Sequence, residues 1–281
     1  VITGKTALYG ILGWPVGHSL SPAMQGAAFA FHGLDAAYLP FPVTQDRLDE
    51  GLRGAHALHV RGLNVTIPHK QAAAAACVRL DPVAAAVGAA NVLRRVDEGW
   101  EGFNTDATAL CQLLEEARLK AGARVLLVGA GGAARAGAWA ALRLGGTLRV
   151  AARRVDQARA LCAAMARAFP DRPAAAPAPW DALAAESAGA DAILNGTSVG
   201  LPGHDPCLSG VAFREGQVAL DMVYGDTAFA RDAAAAGARV VRGEEMLVRQ
   251  GAHAFTIWTG LAAPEAVMVS ALQRARESTR R

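Results

Sequence analysis

The chain has 281 residues, 52% of them hydrophobic and 19% charged, and a net charge of +3. At roughly 100–200 residues per domain this length predicts two domains whose cores need no metal or disulfide, and the composition excludes a disordered chain. The weak charge excess holds no basic block, so nucleic-acid binding is not indicated, and the four scattered cysteines, Cys77, Cys111, Cys162 and Cys207, make neither a disulfide framework nor a zinc spacing, as in a reducing cytoplasm.

In chain order, residues 7–13 predict a strand ended by Trp14-Pro15, and Pro22 sits in the first turn of a helix running to about Phe31. Ala37–Phe41 predicts a second strand. Leu58–Val65 predicts a third, closed by Pro68, and residues 69–79 read as a helix. Asn91–Val96 and Trp100–Phe103 predict a hairpin around Asp97-Glu98-Gly99. Thr105–Leu119 carries the helical spacing of Leu110, Leu113, Leu114 and Ala117. Arg124–Val128 is the short apolar run of a buried parallel strand, followed by a glycine-rich turn and an alanine-rich helix. Strands are expected at 148–152, 191–195, 218–222 and 238–241, with helices at 155–168, 180–187 and 228–236. The proline-rich stretch 171–179 reads as a surface loop. From Glu244 the pattern is helical, with a frayed tail over 274–281. Alternating strands and helices predict an α/β fold with a parallel sheet covered on both faces. The most apolar stretch, 121–146, is interrupted by Arg124, Arg135 and Arg143, which argues against a membrane span. No signal-peptide layout opens the sequence, so a cytoplasmic protein is expected.

Gly129-Ala130-Gly131-Gly132-Ala133 lies between the strand at 124–128 and the helix after it. Close approach of a phosphate to backbone needs glycine, and a helix N-terminus favours an anion. An ordinary glycine turn of an α/β domain is the alternative. NAD-binding folds place an Asp or Glu at the end of the next strand, about 20 residues past the first glycine. Here that place holds Ala151-Ala152-Arg153-Arg154, with no carboxylate before Asp156. Two adjacent guanidinium groups suit a 2′-phosphate, so NADP is the expected cofactor; solvated surface charge is the alternative.

Three polar stretches exceed structural need. His18-Ser19-Leu20-Ser21-Pro22 puts hydroxyls at i and i+2, which share a face in an extended segment and precede a helix start. Capping by one serine would explain Ser21 but not Ser19. In Asn64-Val65-Thr66-Ile67-Pro68-His69-Lys70, a strand delivers Asn64 and Thr66 to one face and the turn delivers Lys70. Only Lys5, Lys70 and Lys120 are lysines; every other basic residue of the Lys/Arg class is arginine, and lysine alone of the two can give up its proton. His69 reads as a neighbour or cap. In Asn104-Thr105-Asp106, Asp106 begins a helix, either as a first-turn carboxylate or as the ionised partner of Lys70. Asn91 is open to a plain turn role.

These stretches together resemble the shikimate dehydrogenase family over nearly the whole chain. The carrying motifs are Gly13-Trp14-Pro15 with His18–Pro22, Asn64–Lys70, Asn104–Asp106, Gly129–Ala134, Asn195-Gly196-Thr197-Ser198-Val199-Gly200, and Met246–Gly251 followed by Trp258-Thr259-Gly260. The resemblance implies an α/β protein of two domains: a substrate domain over 1–106, a Rossmann-type NADP domain over 107–243, and C-terminal helices, 244–281, that return to the substrate domain. It implies Lys70 and Asp106 as the catalytic pair, Ser19 and Ser21 on the substrate carboxylate, and Thr66, Asn91 and Gln250 on ring hydroxyls. Tyr224 matches a tyrosine near the carboxylate. Gly129, Ala130, Gly131, Gly132, Ala133, Arg153, Arg154, Thr197, Met222 and Gly243 fall to the cofactor, with no metal. The implied partner is a small molecule, shikimate or 3-dehydroshikimate, with no nucleic acid and no membrane; a homodimer is left open. The chain departs from the family pattern at Gln25-Gly26, Ala107-Thr108-Ala109, Ala152-Arg153-Arg154 and Gly225-Asp226-Thr227. Use of quinate or NAD, or a ligand-sensing role without catalysis, are the alternatives.

Overall fold

The computed structural model describes residues 2–201, 204 and 207–279. In chain order they form β1 (Ala7–Gly13), α1 (Ser21–Phe31), β2 (Ala36–Pro42), α2 (Leu48–Ala57), β3 (Gly62–Val65), α3 (Lys70–Ala75), β4 (Arg79–Leu80), α4 (Pro82–Val87), β5 (Val92–Val96), β6 (Gly99–Phe103) and α5 (Thr105–Glu116). There follow β7 (Arg124–Val128), α6 (Gly132–Arg143), β8 (Thr147–Ala151), α7 (Val155–Ala168), β9 (Ala176–Ala178), α8 (Leu183–Gly189), β10 (Ala192–Asn195), β11 (Val218–Asp221), α9 (Ala228–Ala235), β12 (Arg239–Val241), α10 (Gly243–Thr259) and α11 (Glu265–Thr279). They divide into two compact units, Val1–Thr105 with Leu247–Arg281, and Asp106–Met246. Among the described residues no helix is long and apolar enough to cross a membrane, and no group of His, Cys, Asp and Glu could hold a metal ion.

The first unit is built on a mixed sheet in the order β2-β1-β3-β5-β6-β4. Strand alternation sorts the side chains of β1. Tyr9 and Ile11 join Phe29 of α1, Phe255 of α10 and Met268 of α11, whereas Leu12 joins Leu48 and Leu52 of α2 with Leu63 and Leu93. β2 is an edge strand. Ala7 N–H reaches the Asp35 carbonyl and Val43 N–H the Gly13 carbonyl, so odd positions of this segment face β1. Pro40 and Pro42 therefore stand where an N–H would point outward, which blunts the edge against pairing with another chain.

The third strand starts at Gly62 rather than Leu58. α2 occupies the residues before it and exits through His59 at a φ of 56°. That helix buries Leu48 and Leu52 and packs Ala55 against the same cluster, a helical spacing over its length. The helix expected over 69–79 stops at Ala75, and Arg79–Leu80 pairs with β6 instead. α4 then has local start and stop signals: the Asp81 carboxylate accepts from Val83 and Ala84 N–H at 3.2 and 2.9 Å, Pro82 opens the first turn, and Gly88 leaves at a φ of 67°.

The second unit is a parallel sheet in the order β12-β11-β10-β7-β8-β9. From β7 the chain winds outward to β9, then crosses to β10 and winds the other way, so β7 and β10 flank a topological switch point. Residues 171–179 are not wholly loop. They contain β9, where Pro177 lies opposite Val150 on an edge strand that tolerates the missing N–H. The tail is helical as far as Thr279, with Ser278 Oγ donating to the Arg274 carbonyl at 3.1 Å; residues 280 and 281 lie outside the described residues.

Gly62 has no room for a side chain, since a Cβ there would lie 2.3 Å from the Trp258 indole nitrogen. That nitrogen donates to the Leu93 carbonyl at 3.0 Å, which holds the ring in place. Gly62→Ala is expected to lower stability by about 1–3 kcal/mol through overpacking. Urea unfolding of the two proteins checks this, and equal midpoints would refute it.

Candidate active site

In the first unit the polar residues converge at the C-terminal ends of β1 and β3. Thr66 N–H donates to the Leu12 carbonyl and Trp14 N–H to the Ile67 carbonyl, both at 2.9 Å, so the turns after the two strands lie side by side. A Cβ on Gly13 would sit 2.3 Å from Thr66 Cγ2. Glycine is what allows this approach.

The serine segment is not extended as expected. Leu20 is helical (φ −89°, ψ −5°) and α1 begins at Ser21. Ser19 Oγ accepts from Ser21 N–H at 3.3 Å, so Ser19 rather than Ser21 faces the opening turn. Ser21 and Tyr38 are both buried. Burial pushes the Tyr38 phenol well above its usual range, which keeps it a proton donor. Tyr38 Oη donates to Asn64 Oδ1 at 2.6 Å, and Asn64 Nδ2 donates to the Asn91 carbonyl at 3.3 Å.

Asn91 is more than a turn residue. Its Oδ1 accepts from Thr105 N–H at 2.7 Å, and its Nδ2 donates to Thr105 Oγ1 at 2.9 Å and to Gln250 Oε1 at 3.2 Å. Gln250 Nε2 is held by the Leu247 carbonyl at 2.9 Å. Lys70 opens α3, and its carbonyl accepts from Ala90 N–H at 2.9 Å, one residue from Asn91. His69 Nε2 lies 2.7 Å from the Val43 carbonyl in a buried setting, which fits a structural neighbour. Thus Asn91 and Gln250 belong to one network, with Lys70 registered beside it through backbone. Tyr38, Asn64 and Thr105 complete that network. Of these, only Asn64 stood out in the sequence as a face-sharing polar residue.

In the second unit Asp106 is buried in the first turn of α5. Tyr224 is half-buried, and burial raises its phenol pKa. The glycine loop opens at the switch point. Gly129 has a φ of 113°, and a Cβ there would meet the Gly196 carbonyl oxygen at 2.7 Å and the Thr197 nitrogen at 3.1 Å. A Cβ on Gly196 would in turn strike Ala134 at 2.8 Å. The loops after β7 and β10 therefore touch backbone to backbone. Gly131 caps α6, and a Cβ there would meet nothing within 4 Å, which leaves room beside the helix start. Arg153 and Arg154 are exposed just past the end of β8. A dinucleotide with a 2′-phosphate fits this cradle and this charge.

Below the cradle runs a buried chain of bonds. Asn195 Oδ1 accepts from Thr197 N–H and Oγ1 at 3.1 and 2.7 Å, and Asn195 Nδ2 donates to Asp221 Oδ1 at 2.9 Å. Asp221 Oδ1 also accepts from Val223 N–H, its Oδ2 accepts from Thr227 Oγ1, and Thr227 caps α9. Met222 N–H donates to the Asn195 carbonyl at 3.1 Å, and a Cβ on Gly243 would lie 2.4 Å from the Val223 carbonyl oxygen. Thr197, Met222 and Gly243 are thus tied to the same loops, whereas Asp221 and Thr227 gave no sign in the sequence.

Comparison with known proteins finds relatives named shikimate dehydrogenase, and similar solved structures that also include a quinate dehydrogenase and a 5-ketofructose reductase. The substrate-binding domain of shikimate dehydrogenase matches residues 11–93, and the C-terminal domain of shikimate 5′-dehydrogenase matches residues 243–273. The chain is 62% identical to a shikimate dehydrogenase (NADP(+)) of Anaeromyxobacter dehalogenans over 100% of both chains. A shikimate dehydrogenase solved with NADP+ has a TM-score of 0.89 at 33% identity, covering 98% of this chain and 97% of that one. The Thermus thermophilus enzyme solved with NADP(H) and shikimate has a TM-score of 0.82 at 35% identity, covering 96% of this chain and 100% of that one.

Asp221 yields a pH prediction. Burial raises its carboxyl pKa above the ordinary value, with a smaller push from Glu244. A raised folded pKa stabilises the fold below the unfolded value, and that contribution is lost as pH climbs through the folded value. The contribution of Asp221 to stability should therefore fall as pH rises upward from about 4. Asp221→Asn should flatten that part of the curve, as followed by urea unfolding at stepped pH; parallel curves would refute the assignment.

Proposed function

The chain belongs to the shikimate dehydrogenase family, and from that premise we propose that it catalyses the reversible NADP-dependent oxidation of shikimate to 3-dehydroshikimate. The observation that carries this reading is the position of Lys70. It is one of three lysines in an arginine-rich chain, and it opens α3 with its backbone bonded one residue from the Asn91 network.

Ser19 and Ser21 would hold the substrate carboxylate, with Tyr224 near it, and Thr66, Asn91 and Gln250 would bind ring hydroxyls. Asn91 and Gln250 are already fixed by the bonds described above, so they meet the substrate with little reorganisation. Lys70 and Asp106 form the catalytic pair. In oxidation, unprotonated Lys70 accepts the proton of the reacting hydroxyl; in reduction, its ammonium steadies charge developing on the ketone oxygen and returns that proton. Asp106 would accept a hydrogen bond from the Lys70 amine and so orient it toward the reacting hydroxyl. Gly129, Ala130, Gly131, Gly132 and Ala133 would hold the pyrophosphate, Thr197, Met222 and Gly243 the remainder, and Arg153 and Arg154 the 2′-phosphate. Bound NADP supplies the hydride acceptor and, reduced, the hydride donor.

Near-ultraviolet absorbance of the reduced nicotinamide tests the reading, with shikimate or quinate and NADP or NAD as arms. Turnover should be fastest with shikimate and NADP. Faster rates with quinate or NAD would move the chain to a quinate-type activity, and binding of NADP without turnover in any arm would favour a sensor. Lys70→Ala should lower kcat by at least about 100-fold with the fold intact, as general acid–base contributions go. Near-native kcat would remove Lys70 from the mechanism. Arg153→Ala/Arg154→Ala together should raise the KM for NADP by at least about tenfold, as lost charge-assisted bonds predict, and leave the KM for NAD unchanged. An equal rise for both cofactors would assign the pair to surface charge.

A further inference from the structure

We infer that Gln25 is a positioning residue for the substrate, whose buried amide sets α10, and with it Gln250, against the serine-bearing start of α1. The inference rests on the reading of Ser19 and Ser21 as carboxylate contacts and of Gln250 as a hydroxyl contact. Gln25 is fully buried, one helical turn after Ser21 and so on the same face of α1. Its Nε2 donates to the Gly251 carbonyl at 2.9 Å, 226 positions away in sequence. A carbonyl has no proton to offer, so the nitrogen end of the amide must face it and the oxygen end must face away. That oxygen, Oε1, is buried and has no hydrogen-bond partner among the described residues.

A buried acceptor without a donor costs free energy that an apolar side chain of the same length would not. Folding alone therefore gives no reason for glutamine over methionine at this position. The two helices already meet through apolar side chains, Met24, Ala28 and Phe29 of α1 with Val248, Ala252 and Phe255 of α10. What the amide adds is direction. Apolar contact is non-directional, whereas a hydrogen bond fixes one point of α10. That point is the Gly251 carbonyl, next to Gln250, whose own Oε1 accepts from Asn91 Nδ2 at 3.2 Å. Gly251 permits the approach: a Cβ there would lie 2.3 Å from Met24 Cε and 3.4 Å from Gln25 Nε2. One bond thus sets the spacing between Ser21, which opens α1, and the Gln250 amide on α10.

The test is steady-state kinetics and urea unfolding of Gln25→Met, which keeps the length of the side chain and removes both polar ends. The shikimate KM is expected to rise about three- to tenfold, as loss of one hydrogen bond predicts, with kcat within about twofold and the NADP KM unchanged. The unfolding midpoint should equal or exceed that of the native chain, because the unmatched oxygen is removed as well. A residue that served stability alone would lower the midpoint and leave the KM in place. In the Gln250→Ala background, Gln25→Met should raise the shikimate KM by a clearly smaller factor. Gln25→Leu makes the same change with a branched side chain and should move the shikimate KM the same way, which keeps the test decisive if Gln25→Met fails to fold. An unchanged shikimate KM, an effect of equal size with and without Gln250, a parallel rise in the NADP KM, or loss of the folded state in both variants would overturn the inference. Absence of shikimate turnover by the native chain, seen before any variant is made, would overturn the reading beneath it and the inference with it.

Discussion

The first unit depends on satisfying one buried amide. Asn91 is removed from water, and each unsatisfied group there would cost on the order of 1–3 kcal/mol. Its partners come from separate elements: Asn64 and Val65 on β3, Thr105 at the start of α5, and Gln250 on α10. Meeting the demands of a single side chain and its carbonyl therefore ties β3 to Thr105 and to Gln250. A fully connected polar network of this kind is rigid, because no member can rotate without stranding its neighbour. Lys70 inherits the same registration through the bond from Ala90 to its carbonyl.

The second unit answers a different demand. A phosphate site needs backbone N–H groups with nothing in front of them, so its construction is largely an absence of side chains. Gly129 and Gly196 let two loops meet at distances that no Cβ would permit, and Gly131 leaves the start of α6 open. Loops so stripped of side chains need support from beneath, and Asn195, Asp221 and Thr227 give it by bonding the ends of β10 and β11 to the N-terminus of α9. One site is thus organised by polar satisfaction and the other by steric vacancy over a polar base.

Elements were legible where their cause is local. The run Arg124–Val128, the glycines after it and the turn at Asp97-Glu98-Gly99 each act over a few residues, and the structure has a strand, a helix start and a hairpin there. α2 was missed although its signal is local: Leu48, Leu52 and Ala55 recur at helical spacing and pack into one cluster. β4 and β9 were not legible. Strands of two and three residues exist because a neighbouring edge accepts them, and that edge is remote in sequence. The spacing of Ser19 and Ser21 misled for a related reason: a period-2 argument holds only in extended backbone, and Leu20 is helical.

By itself the sequence determined the chemistry on offer: a lysine among arginines, hydroxyls before a helix, glycines after a buried strand, and an arginine pair where a carboxylate would select NAD. It also determined the order of the main elements, since periodicity, proline and glycine act through neighbours along the chain. Only the tertiary structure decided which polar groups share protons. The links from Tyr38 to Asn64, Asn91 to Gln250 and Asn195 to Asp221 join residues between 26 and 159 positions apart. A hydrogen bond depends on distance and direction in space, and no local pattern in the sequence encodes either.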